Sequence, residues 1–206
     1  PEHVLLRPEF RRLNNVNRKR DGSIKRVLVF MGGGDADDVT SKSVTALEGL
    51  NLQIDVIVGA SNHRAEEIGR RCELIADCTF HCQTEHMAEL IANADLAIGA
   101  GGTNTWERGV LGLPTLTVVC ADNQYQTTYD LAQLGAIGYI GRSNELTVDT
   151  IINAVKPLLS DKQAVLSMSK KMQSIMGRIY EREVSSAAEY LHASAEKSDV
   201  GEGSVV

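Results

Sequence analysis

The chain has 206 residues, a formal net charge of −6 and a pI near 5.4, with 43 % hydrophobic and only 4 % aromatic residues. The apolar share is enough to build one large domain or a domain with appendages, while the acidic balance and scarce rings argue against the basic footprint or stacking platform of a nucleic-acid binder. No apolar run reaches the roughly 20 residues of a membrane span and no signal peptide opens the sequence, so the expectation is a cytoplasmic protein without a membrane span or a nucleic-acid partner.

Residues 1–25 do not read as a domain start: "VLLRPEF" is a short apolar piece, and the basic, Asn-rich run behind it reads as exposed. Regular patterning begins with "RVLVFM" (26–31), a continuous apolar run ending at Gly32, Gly33 and Gly34, as a buried strand entering a turn does. A helix is predicted from Asp37 or Asp38 to Leu50, then a strand "IDVIVG" (54–59) and a helix capped by Asn62 and running to about Cys72. "CTFHC" (78–82) is a weaker strand, followed by a helix over 84–94, a strand "DLAIG" (95–99) and a helix over 104–111. "PTLTVV" (114–119) and "IGYIG" (137–141) are the last two strands, separated by a helix over 125–134. A helix over 147–159 and another that Asp161 caps, with a break near Gly177, continue to about His192, and the small, polar residues 193–206 read as a disordered tail. Strands alternating with helices over short loops predict an α/β fold: a doubly wound, parallel, six-stranded Rossmann-like sheet. In such a sheet ligands bind at the carboxyl ends of the strands, near the point where strand order reverses.

Four cysteines are too few for a disulfide framework in a chain this long. Cys72, Cys78, Cys82, His81 and His86 lie close in sequence, but their spacing matches no paired C-x2-C knuckle. Cys78 and His81 also fall on opposite faces of a predicted strand, so no metal is assigned.

The stretches with chemical potential all follow strands. "FMGGGDADD" (30–38) places three glycines and an acid between a strand and a helix, where backbone N–H groups can approach a ligand closely. It is neither a G-x-G-x-x-G fingerprint nor a Walker loop, and a plain βα turn is an equal reading. "GAGGTNTWE" (99–107) repeats the arrangement: Gly101 and Gly102 precede Thr103, Asn104 and Thr105, short side chains that either cap a helix or bond a phosphate. Glu107, placed in the first helical turn, is either an acid compensating the helix dipole or an acceptor for a ribose diol. In "CADNQYQ" (120–126), Asp122, Asn123 and Gln124 either cap the next helix, Asn123 best, or offer donors and acceptors to hydroxyls and phosphates. Near "TEHMAEL" (84–90), backbone groups around His86 and Met87 are placed to meet a base edge, though Met87 taken singly reads as core.

Together, "RVLVFMGGGDADDVTSK", "MAELIANADLAIG" and "ADLAIGAGGTNTWERGVLGLPTLTVVCADNQ" resemble the C-terminal half of the UDP-sugar hydrolase of pseudaminic acid biosynthesis. That family, with its spore-coat polysaccharide relatives, shares the GT-B architecture of MurG-like glycosyltransferases. The resemblance covers about residues 4–192 and is densest at 96–124. It implies a domain at 26–192 that binds UDP or a UDP-sugar, with Gly33, Gly34 and the segment Gly101, Gly102, Thr103, Asn104 facing the diphosphate. Glu107 would then face the ribose, the loop near Met87 the uracil, and Asn123 and Gln124 the sugar–phosphate side, with no further cofactor. Residues 1–25 would be the linker from a missing N-terminal domain. In the family that domain carries the histidine that activates water, and none of His3, His63, His81, His86 or His192 lies in a matching G-x-G-H context. The isolated chain is therefore expected to bind without turning over. A glycosyltransferase donor domain and a non-catalytic nucleotide-sugar-binding protein are the alternatives.

Overall fold

A computed structural model describes Phe10 and residues 20–179. The expected tail at 193–206, and most of the linker at 1–25, lie outside the described residues. The strands are β1 (Arg26–Phe30), β2 (Gln53–Val58), β3 (Cys78–Cys82), β4 (Leu96–Ala100), β5 (Thr115–Val119) and β6 (Gly138–Arg142). Between and after them run α1 (Val39–Leu47), α2 (Ala65–Glu73), α3 (Met87–Asn93), α4 (Thr103–Val110), α5 (Tyr125–Gln133) and α6 (Val148–Ser160). A further helix, α7, occupies 162–179.

All six strands are parallel and form one sheet in the order β3-β2-β1-β4-β5-β6. The central strands are nearly all apolar because helices cover both of their faces. Val27, Val29, Ile54, Val56, Leu96 and Ile98 pack on one face against Val44 and Leu47 of α1, Ile68 of α2, and Ile151 and Val155 of α6. Leu28, Ile57 and Ala97 face the other way, toward Ile91 of α3, Trp106 and Val110 of α4, Leu131 of α5, and Met172 and Met176 of α7. The alternation of strand residues between two clusters is the period-two geometry that a doubly wound sheet requires. Strand order reverses between β1 and β4, whose Phe30 and Gly99 are register partners, so the two glycine-rich turns leave the sheet side by side.

The element boundaries differ from sequence expectation mainly at helix starts. Asn62 does not cap α2: its Oδ1 accepts from the Arg64 N–H (2.9 Å), and the helix begins at Ala65. Helix α7 passes through Gly177 unbroken; the interruption lies at Asp161, whose Oδ1 accepts from the Ala164 N–H (2.9 Å) as it restarts the helix after α6. The basic run expected to be exposed ends in a buttress. The Arg20 guanidinium donates to the carbonyls of Leu111 (2.7 Å), Ala94 (3.1 Å) and Ile91 (3.3 Å), tying down the C-terminal ends of α3 and α4, where the helix dipole favours a cation.

Candidate functional site at the carboxyl edge of β1 and β4

The first turn runs from the end of β1 over Gly32, which needs its positive φ of 90°, to exposed Gly33 and Gly34. A Cβ placed on Gly33 or Gly34 would meet nothing within 4 Å, so both present bare backbone outward. The turn leans on the end of β2: a Cβ on Gly59 would lie 2.6 Å from Gly33 Cα, which makes Gly59 a spacing residue that the sequence pattern did not single out. The helix behind this turn is already capped. Asp35 accepts from the N–H groups of Val39 (2.8 Å) and Thr40 (2.7 Å), so its carboxylate occupies the N-terminus of α1. Asp38, in the left-handed region at φ 56°, pairs with Arg64 at 3.0 Å.

The second turn is built differently. Gly102 adopts φ 93° and ψ −155°, a region open only to glycine, and serves as the N-cap of α4. No side chain caps this helix, so of the two readings of Thr103, Asn104 and Thr105 the capping one is not met. Thr103 and Gly102 are exposed, Asn104 is half-buried, and Thr105 is buried. The amides at the start of α4 therefore face outward behind Gly101 and Gly102, the arrangement that attracts an anion.

Glu107 sits in the second turn of α4, since the helix starts at Thr103; the first turn contains no acid. That position removes the dipole-compensating reading of Glu107 offered by the sequence. It is 5 % exposed. Its neighbour Arg108 is 2 % exposed, and its guanidinium donates to the Ala100 carbonyl at 2.7 Å. Burial pulls the Arg108 pKa down to about 10, partly offset by the Glu107 charge, so it remains a cation at neutral pH.

Gln124 lies against the second turn: Cβ atoms on Gly101 and Gly102 would come within 3.1 Å and 3.6 Å of its side chain. Its Oε1 accepts from the Cys120 N–H at 3.0 Å, folding the 3-10 turn Asp122–Gln124 back onto β5. Asn123 does not cap α5, which begins after Gln124, and stays exposed on that turn. Asp122 instead accepts from Arg142 (2.7 Å), whose guanidinium lies 5.1 Å from the Tyr125 ring centre.

Two hollows flank the glycine turns. A narrow one, too tight to admit a water molecule, is lined by Phe30, Met87, Ile91, Asn104 and Arg108, so the fold brings Met87, the first residue of α3, beside Asn104. Met87 itself is buried in the core, as its type predicts. A wider cleft of about 360 Å³ lies among Gly34–Asp37, Ser61–Arg64, Cys120 and Ser143, the last donating to Asp37 at 2.6 Å. Desolvation and the Asp35 and Asp37 charges push the Cys120 thiol up to about 11. Among the described residues, no group of three or more His, Cys, Asp or Glu is arranged to hold a metal, and no helix is long and apolar enough to cross a membrane.

A 3-2-1-4-5-6 parallel sheet with glycine turns at its switch point defines a Rossmann-like domain of the kind that forms the C-terminal half of GT-B glycosyltransferases. The chain belongs to the glycosyltransferase family 28 C-terminal domain family, which residues 26–183 match. It is 25 % identical over 201 residues to a spore coat polysaccharide biosynthesis protein, SpsG, of Bacillus subtilis, a match covering 89 % of this chain and 59 % of that protein. It is 26 % identical over 155 residues to a UDP-N-acetylglucosamine–N-acetylmuramyl-(pentapeptide) pyrophosphoryl-undecaprenol N-acetylglucosamine transferase of Sulfurimonas denitrificans, over 68 % of this chain and 44 % of the transferase. Its fold is similar to that of Acinetobacter baumannii MurG, with a TM-score of 0.60 and 20 % identity over 80 % of this chain and 54 % of MurG. The calicheamicin glycosyltransferase CalG4 is similar too, with a TM-score of 0.64 and 19 % identity over 84 % of this chain and 42 % of that one. The chain thus spans little more than half the length of these relatives at most.

Proposed function

We propose that this chain binds the nucleoside diphosphate of a UDP-sugar at the edge formed by β1 and β4, as one half of a two-domain protein. The observation that carries this reading is the uncapped N-terminus of α4 behind Gly102, beside the bare backbone of Gly33 and Gly34. Backbone amides and a helix start bind phosphate without lysines, which fits an acidic chain. In this reading Gly33, Gly34, Gly101, Gly102, Thr103 and Asn104 hold the diphosphate. Glu107 accepts from the ribose hydroxyls, the backbone ahead of Met87 meets the uracil, and Asn123 and Gln124 meet the sugar side.

For the whole protein we favour release of UDP from a UDP-linked amino sugar, in the making of a sialic-acid-like or surface polysaccharide. The resemblance at 96–124 and the spore-coat relative support it. Transfer to an acceptor is the second reading, favoured by the family match and the transferase relative. Calorimetric titration of the purified chain with UDP, UMP and ADP, with and without magnesium, tests the binding claim. Preference for UDP over both others, unchanged by magnesium, supports it; no binding of any nucleotide contradicts it. Free-sugar release by the two-domain protein, with and without acceptor, separates hydrolysis from transfer.

A further inference from the structure

The two glycine turns contain no lysine or arginine: residues 31–38 read MGGGDADD and 99–107 read GAGGTNTWE. Yet a cation lies directly behind them. The Arg108 guanidinium rests on the sheet over Gly99, where a Cβ would lie 2.6 Å from its Nη1 and 3.1 Å from the Phe30 carbonyl oxygen. Phe30 and Gly99 are the register partners at which both turns begin, so the charge sits under their junction. It also holds the second turn, donating to the Ala100 carbonyl one residue before Gly101 and, more weakly, to Thr105 Oγ1 at 3.4 Å.

The guanidinium is not satisfied by these bonds. Its Nε is buried without a hydrogen-bond partner, and no ion pair among the described residues includes Arg108. An arginine serving only as a strut between α4 and β4 gains little from a charge that costs desolvation. Beyond the partial compensation by the neighbouring Glu107 charge, an anion arriving at the turns gives that charge a further counterpart.

We propose that Arg108 is a positioning residue for the diphosphate: from beneath Gly99 it supplies the positive charge the glycine turns lack and fixes, through the Ala100 carbonyl, the pose of Gly101 and Gly102. The inference rests on the nucleotide reading above and names the group that reads phosphate charge within it. Gly99 is then explained by the space its missing side chain leaves for the guanidinium. The effect grows with ligand charge, because a cation in a low-dielectric setting acts on each phosphate and not on an uncharged nucleoside.

Titration of the 206-residue chain with UDP, UMP and uridine, followed by the amide NMR shifts of Gly101 and Gly102, tests it in three variants. Arg108→Gln removes the charge and keeps a polar side chain; UDP affinity should fall on the order of tenfold or more while uridine affinity stays within about twofold. Arg108→Lys keeps the charge and should recover most of the UDP affinity. Gly99→Ala, which displaces the flexible guanidinium tip without removing it, should reproduce the selective loss and stands in if the glutamine variant fails to fold. Equal losses for UDP and uridine, or a lysine variant no better than the glutamine one, would overturn the inference while leaving nucleotide binding intact. A wild-type chain that binds neither UDP nor uridine would overturn both.

Discussion

Glycine is used at this edge for separate physical reasons. Gly102 supplies a backbone conformation that other residues avoid, Gly101 leaves room for Gln124 and Thr128, and Gly33 and Gly34 leave their outer face bare. Gly102→Val should therefore abolish UDP binding in a chain that still folds, as a titration of the folded variant would reveal; a β-branched side chain is strained at φ 93° and covers the amides. Glu107→Ala should weaken UDP binding by about 1–3 kcal/mol, the usual cost of leaving a partner unpaired. Unchanged calorimetric affinity in that variant would reassign Glu107 to a structural role inside α4. At this scale the sequence exposed the turns but not their supports. Gly59 acquires meaning only from its contact with Gly33 on another turn, and Arg108 only from a side chain that folds back over Gly99, which no residue spacing announces.

Strands were the most legible elements. The central four are mostly apolar runs, interrupted by Asp55 in β2 and by Thr115 and Thr117 in β5, and their ends shift by no more than a residue or so from expectation. Helix starts were less legible, because the capping group need not be the adjacent polar residue: Asp35 reaches the amides of Val39 and Thr40 while Asp37 bonds Ser143 and Asp38 bonds Arg64. The same detail separates the two glycine turns, since one helix start is filled by a carboxylate and the other is left open. Asp35→Ala should lower the stability of the chain by about 1–2 kcal/mol in a denaturant titration. Arg20→Ala should also destabilise, by about 1–3 kcal/mol, because three carbonyls at the ends of α3 and α4 lose a shared donor. A loss within error for Arg20→Ala would show that water replaces the guanidinium there.

The whole molecule follows from alternation. Strands and helices in strict succession give a doubly wound sheet, and the reversal of strand order between β1 and β4 fixes where a crevice opens. That much was written in the pattern of the residues, and the match of residues 26–183 to a glycosyltransferase C-terminal domain agrees with it. What the sequence did not show is how the turns are supported, because that depends on groups brought in from β2, β5 and α4.

The central claim is that both glycine turns grip one diphosphate. Amide hydrogen exchange of the purified chain, with and without saturating UDP, tests it most directly. Slowed exchange is expected at Gly33–Gly34 and at Gly101–Asn104 together, with little change at the opposite edge of the sheet around Gly112 and Gly135. Protection confined to other segments, or none at either turn while UDP is bound, would contradict it.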